Sequence, residues 1–88
     1  MFYVYVLKSL GHSRHYIGIT NNGKKRLQKH NSGSVRSTKA YRPWAIAWIE
    51  EYNNKTDARR RELLLKNNYT LRKELFEKIE KSTSSSNG

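Results

Sequence analysis

Arg26 and His30 stand four residues apart in GKKRLQKHN, a basic run whose only large apolar residue is Leu27. At about 100° per residue these three share a helix sector of roughly 100°, while Lys25, Gln28 and Lys29 point elsewhere. An arginine and a histidine are thereby turned toward whatever Leu27 packs against. Long polar side chains seldom face a core unless they are paired or used. The groups within reach are phenols: Tyr5 in FYVYVL and Tyr16 in YIGI. This combination suits chemistry on a phosphate, because a guanidinium matches the phosphate oxygens in a fork and stabilises the charge they gain in a transition state. A phenol with pKa near 10 is a poor base at neutral pH, and lowering it by about three units takes roughly 4 kcal/mol of preferential phenolate stabilisation. Neighbouring cations can supply part of that, and a neutral His30 can take the phenol proton directly.

One carboxylate is out of place. In DARRRELLLKN, Glu62 lies within about 60° of both Ala58 and Leu65 on a helical wheel, the side that packs, whereas Arg59 and Arg60 reach solvent. A part-buried carboxylate needs a partner. Two readings stand: Glu62 pairs with Arg61 or another base, or it is an oxygen ligand for a hard cation such as Mg2+. Because Mg2+ keeps several waters and takes further oxygens from a substrate phosphate, one carboxylate is chemically sufficient.

Short elements must position these groups. Phe2 to Leu7 alternates as a strand with both faces largely buried, KSLGHSRH reads as a hairpin loop, and Tyr16 to Ile19 returns as a second strand with Tyr16 and Gly18 on one face. Thr20 to Asn22 offers N-cap candidates for a helix over about residues 23 to 31, ended by Ser32-Gly33. Ser34 to Tyr41 is open between a helical turn and an ordered loop. Trp44 to Tyr52 is a third strand in which Trp44, Ile46 and Trp48 share a face. Thr56 or Asn54 caps a helix through roughly residues 57 to 67. A last helix over about 71 to 81 carries the stripe Leu71, Leu75, Phe76 and Ile79, and STSSSNG (82–88) reads as a disordered tail. The order β-β-α-β-α-α predicts one α+β domain over 1–81, a small three-stranded, mostly antiparallel sheet flanked by helices.

Charge narrows the partner. The chain of 88 residues carries a formal +11, yet up to residue 49 it holds nine Lys or Arg and no Asp or Glu, the first carboxylate being Glu50. So basic a half draws polyanions and makes binding fall steeply with salt. With no cysteine, neither disulfides nor thiolate metal sites are available, which fits a reducing, cytoplasmic setting, and the apolar start is too short for a membrane span.

Taken in order, Tyr3-Val4-Tyr5, Tyr16-Ile17-Gly18, Arg26, His30 and Glu62 resemble the GIY-YIG nuclease superfamily across about residues 2 to 80. Ile19-Thr20-Asn21, His30-Asn31-Ser32-Gly33 and Arg42-Pro43-Trp44 resemble its small stand-alone bacterial-type branch, which is similar to the catalytic subunit of an endonuclease that cuts branched DNA. The resemblance implies a metal-dependent endonuclease acting on DNA, branched or single-stranded, with a possible protein partner for targeting. It implies Tyr5 or Tyr16 as the general base that activates water, with Tyr5 preferred and Tyr16 positioning the water or phosphate. It further implies Arg26 on the scissile phosphate, His30 assisting the base, and Glu62 holding one Mg2+ or Mn2+. Lys24, Lys25, Lys29, Arg36, Lys39 and Arg42, with Arg59 to Arg61, would hold the flanking strand. Two departures stand out: Tyr3 occupies the position of the motif's glycine, and the asparagine often found beyond the glutamate has no clear counterpart in Asn67 or Asn68. The competing readings are a nucleic-acid-binding module without turnover and an RNA binder that stacks bases on Tyr41 and Arg36.

Overall fold

The hairpin expected from the first twenty residues forms the middle and one edge of the sheet. In the computed structural model, which describes residues 1–85, β1 (Phe2–Ser9) and β2 (His15–Thr20) lead into α1 (Gly23–Asn31). A 3-10 turn (Lys39–Tyr41), β3 (Trp44–Tyr52), α2 (Lys55–Asn67) and α3 (Tyr69–Ser85) follow. The last helix runs past its expected end at Lys81 to Ser85, so it takes in the first four residues of the expected tail, whose residues 86–88 lie outside the described residues. The sheet order is β2-β1-β3, antiparallel at both junctions.

Register decides what each face carries. Tyr5 pairs with Gly18 and Leu7 with Tyr16, and directly opposed residues share a face, so both tyrosines lie on the same side. On the other junction Val6 faces Trp48 while Leu7 faces Ile46, which leaves Ala47 as an extra residue, a β-bulge. The bulge breaks the two-residue period. Trp44 and Ile46 pack beside Tyr5 and Leu7, but Trp48 is carried to the opposite face, against the expectation that all three share one. Alternation alone carries no sign of this, because inserting one residue reverses every later side chain.

The two faces are then covered by different helices. Val4, Val6 and Ile17 meet Ala58 and Leu65 of α2 and Leu75 and Ile79 of α3. Each fully buried Val, Leu or Ile side chain among them contributes about 1.5–3 kcal/mol. Tyr5, Leu7 and Trp44 meet Tyr16, Leu27 of α1, Tyr41 and Ile46. A nine-residue helix does not persist unaided, so α1 depends on its ends. Asn22 is extended and its side chain accepts from Lys25 N at 3.1 Å. At the other end Asn31 donates to the Trp44 carbonyl at 3.0 Å and accepts from the Trp44 amide at 2.6 Å, pinning the helix to β3. Gly33 follows at φ 85, the left-handed conformation glycine adopts freely, and an added Cβ would lie 2.7 Å from Arg42 Nη1.

At the start of α2, Asn54 rather than Thr56 is the cap, accepting from Asp57 N at 2.8 Å. Arg61 is not available to a ligand. It forks onto Glu50 at 3.0 and 3.2 Å, and Trp48 and Tyr52 add hydrogen bonds of 2.9 and 2.8 Å to the same carboxylate. Burial pushes the Glu50 carboxyl up, but these bonds and the Arg61 charge outweigh it and hold it below the usual range. Among the described residues no helix is long and apolar enough to cross a membrane.

Candidate active site

Tyr5 is the centre of a buried hydrogen-bonded chain. Its hydroxyl lies 3.0 Å from His30 Nε2 and accepts from Arg26 Nε at 3.3 Å, and His30 Nδ1 lies 2.8 Å from Thr38 Oγ1. The donors and acceptors fit one assignment. The Thr38 hydroxyl donates to the Val35 carbonyl at 3.4 Å and so accepts from His30 Nδ1–H. That leaves His30 Nε2 as an acceptor for the Tyr5 proton, while Arg26, which can only donate, gives to the Tyr5 oxygen. His30 is fully buried, Tyr5 and Thr38 are 1% exposed, and Arg26 is half-buried.

This setting keeps both titrating groups neutral at rest. Burial pushes the Tyr5 phenol up, and the hydrogen bond from Arg26 offsets only part of that. Arg26 thus lowers the phenol as expected of a neighbouring cation, but burial outweighs it and the net shift is upward. Burial, with the positive charges of Arg26 and Lys29, pushes the His30 imidazole down. A neutral imidazole facing a neutral phenol is a proton acceptor in waiting.

Gly18 makes the arrangement sterically possible. A Cβ there would lie 2.6 Å from Tyr5 Oη and 2.7 Å from Tyr5 Cζ, with Tyr16 Cε1 at 3.1 Å. The Tyr5 ring lies across the bare backbone of the neighbouring strand, beside the Tyr16 ring at 6.2 Å between centroids. Tyr16 is half-buried and 4.8 Å from the His30 ring. Tyr3, in the position of the motif's glycine, pairs with Thr20 and Glu51 and lies on the same face as Tyr5, two residues before it.

Glu62 belongs to the helix on the aliphatic face, but α2 runs beside edge strand β2, and the Glu62 charge is felt at Tyr5. The carboxylate is 5% exposed. Its partners are not Arg61 but Arg59, at 3.2 Å, and Lys66, at 3.0 Å. Both partners are solvent-exposed long chains, and each lines a different opening. Arg59 shares a crevice with Arg26, Asn21 and Lys55, and Lys66 shares a cleft with Tyr16, Arg14 and Arg72. Its Nζ also lies 5.9 Å from the centre of the Tyr16 ring. A hard carboxylate oxygen pair, with cationic neighbours free to turn outward, suits a divalent ion that draws its remaining ligands from water and phosphate. Among the described residues no group of three His, Cys, Asp or Glu gathers to make a complete protein cage. Asn68 caps α3 by accepting from Leu71 N at 3.0 Å, and Asn67 ends α2 in solvent.

The flanking cations divide. Lys24, Lys25 and Lys29 on α1, and Arg36, Lys39 and Arg42 beyond it, are all exposed. Among the first half's Lys and Arg in the described residues, only Lys8 meets a carboxylate, Glu80 at 2.8 Å, so this surface keeps its charge. Arg42 is held by its Nε bond to the Lys39 carbonyl at 3.0 Å. Arg61, spent on Glu50, leaves the expected strand-holding set. Thr38, Lys66 and Arg72 escape a reading of the sequence. Thr38 lies in a serine- and threonine-rich run with no periodicity, and the other two look like ordinary exposed cations of a helix.

Residues 1–75 match the GIY-YIG catalytic domain family. The UPF0213 protein CPE1444 of Clostridium perfringens is 39% identical over 67 residues, covering 75% of this chain and 71% of its own length. The UPF0213 protein SH2523 of Staphylococcus haemolyticus is 37% identical over 65 residues, covering 73% and 78%. The solution structure of the UPF0213 protein BH0048 from Bacillus halodurans superposes with a TM-score of 0.53 at 27% identity, covering 90% of this chain and 85% of that one. Fold, motif order and relatives agree, and the chain belongs to the GIY-YIG family, whose catalytic domain is of the nuclease type.

Proposed function

We propose that this protein is a metal-dependent endonuclease that hydrolyses a DNA phosphodiester bond with Tyr5 as the general base. The observation that carries the reading is the unbroken chain from Arg26 through Tyr5 and His30 to Thr38. Because burial keeps the Tyr5 phenol neutral, its proton leaves only as water attacks. The attacking water gives a proton to Tyr5 Oη while the phenol proton passes to His30 Nε2, and the phosphorus–oxygen bond opposite breaks with its electron pair on the 3′ oxygen. The imidazolium that results is hydrogen-bonded at both nitrogens, to Tyr5 and to Thr38. Arg26, already at the mouth of a crevice, turns its guanidinium onto the phosphate and stabilises the added charge. That movement uncovers the Tyr5 hydroxyl it now touches. Tyr16 orients the water or phosphate from the neighbouring strand. Glu62 would hold one Mg2+ or Mn2+, which when bound polarises the phosphate and stabilises the leaving oxygen.

The test is cleavage of branched, single-stranded and duplex DNA with Mg2+ or Mn2+, comparing wild type with Glu62→Gln and Arg26→Ala after each variant is shown to be folded. Both should lose nearly all activity, and chelation should abolish it in wild type. Full activity in both variants would sink the mechanism.

A second reading, a binding module without turnover, is favoured by one observation, the sealed and neutral Tyr5. Salt-dependent binding that ignores metal, with no cleavage at high protein concentration, would select it.

A further inference from the structure

The two openings lined by the partners of Glu62 differ in material. The crevice at Arg26 and Arg59 is polar, with Thr20, Asn21 and Lys55 around it, as a phosphate track requires. The other, a cleft of about 570 Å3, lies within the size range of small-ligand sites, roughly 300–1,000 Å3. Three cations reach it from three separate elements: Arg14 from the β1–β2 loop, Lys66 from the end of α2 and Arg72 from the start of α3. Among the described residues no carboxylate lines it. Its wall is aromatic, with His15 and Phe76 stacked at 4.2 Å and 15°, and Tyr16 borders it. His15 Nε2 is buried and has no hydrogen bond, its distance to Glu80 Oε1 being 3.7 Å.

We propose that this cleft seats the nucleotide next to the scissile phosphate, its base against the His15–Phe76 wall and its phosphate on Arg72 and Lys66. The inference rests on the nuclease reading above and names the substrate feature which that site selects. Aromatic rings with a cationic rim bind a nucleotide by stacking and charge together, with little demand on base identity. Lys66 of this cleft pairs with Glu62, whose other partner, Arg59, lines the crevice with Arg26, so a strand held at Arg26 would pass Glu62 on its way into the cleft. A base lying in the cleft has left its own duplex stack. The substrate must therefore offer an unpaired nucleotide beside the cut, or have one turned out.

The test is metal-free binding followed by fluorescence anisotropy, using a labelled single strand of about twelve nucleotides and the same sequence as a blunt duplex. Wild type should bind the single strand about tenfold tighter at equal salt. Phe76→Leu, which keeps an apolar contact with the core, should remove most of that preference while leaving duplex binding in place. Arg14→Ala and Arg72→Gln should each lower the salt slope for the single strand by about one. A strand with one abasic position, walked along its length, should lose affinity at a single register in wild type and at none in Phe76→Leu. An unchanged single-strand preference in folded Phe76→Leu and Arg72→Gln would overturn the proposal. The nuclease reading fails separately, by full cleavage in Glu62→Gln and Arg26→Ala. In those two variants the abasic scan should still lose affinity at a single register, since neither residue lines the cleft that seats the base.

Discussion

The two faces of the sheet are buried to a similar depth and built from opposite materials. One side is aliphatic, with Val4, Val6, Leu65 and Ile79 almost wholly buried, and the acid at its margin, Glu50, is satisfied four times over. The other side buries a phenol, an imidazole and a threonine hydroxyl in one chain. Polar burial of this kind adds little net stability, since each bond replaces one to water and contributes only about 0.5–1.5 kcal/mol. The aliphatic side holds the fold, which frees the tyrosine side to hold protons in poised positions. Glu62 is the exception that joins them, rooted in the aliphatic helix and electrostatically coupled to the phenol.

The largest effect should come from the aliphatic side. Leu65→Ala removes a fully buried side chain, and such truncations cost about 2–5 kcal/mol. In a chain of this size that is a large share of the total, so urea or thermal unfolding should shift steeply. Arg26→Ala should do the reverse, leaving the unfolding midpoint near wild type and slowing cleavage by about 10²–10³-fold, the usual cost of one transition-state donor. If Arg26→Ala unfolded as readily as Leu65→Ala, the division between the faces would be wrong.

Gly18→Ala sharpens the comparison, because one methyl is added on the tyrosine side without removing any contact. The new Cβ would lie 2.6 Å from Tyr5 Oη, so the ring must move. Overpacking of this kind costs about 1–3 kcal/mol, and the displaced hydroxyl would lose its bonds to Arg26 and His30. Cleavage should fall by more than the stability loss accounts for, checked by assaying well below the unfolding temperature.

How far these roles were legible depends on the range of the interaction behind them. The bounds of α1 and β3 follow from local signals, the Asn22 cap, the Gly33 stop and the β-branched and aromatic run after Pro43. That Tyr5, Tyr16, Arg26 and His30 gather in one place was legible because their spacing is a motif, and the hairpin register brings the tyrosines together. The partners of Glu62 were half legible: a base was expected, yet Arg61 had been captured by Glu50, eleven residues earlier and on a different element. The flip of Trp48 was not legible at all, since a bulge depends on a partner strand. Nor was Thr38, which matters only because Trp44 Nε1 fastens its carbonyl at 2.9 Å and so sets its hydroxyl under His30.

Thr38→Val tests that last link with almost no change of shape. It leaves His30 Nδ1–H without its acceptor in a buried site, a loss of about 1–3 kcal/mol in stability. Activity should drop as well, because the histidine is then free to carry its proton on the nitrogen that faces Tyr5. Thr38→Ser keeps the hydroxyl and should recover most of the activity, which a purely structural role would not require.

The smallest effect is that of pH, and its sign follows from His30. Burial and the neighbouring cations hold the folded imidazole below its ordinary pKa near 6.5, so the unfolded chain binds a proton more readily than the folded one. The contribution is fully present above the unfolded value and is lost as pH falls through the folded one, so stability should decline on the acid side of 6.5. The acid limb of cleavage should likewise lie below 6.5, because a protonated imidazole cannot accept the Tyr5 proton. His30→Gln should flatten that limb and reduce the acid-side stability slope together. If the slope near 6.5 survived in His30→Gln, it would belong to His15, whose imidazole burial also pushes down, while carboxylates such as Glu50 lose their contribution further down, through the carboxylate range. His30 would then be a spectator in the chain that joins Arg26 to Thr38.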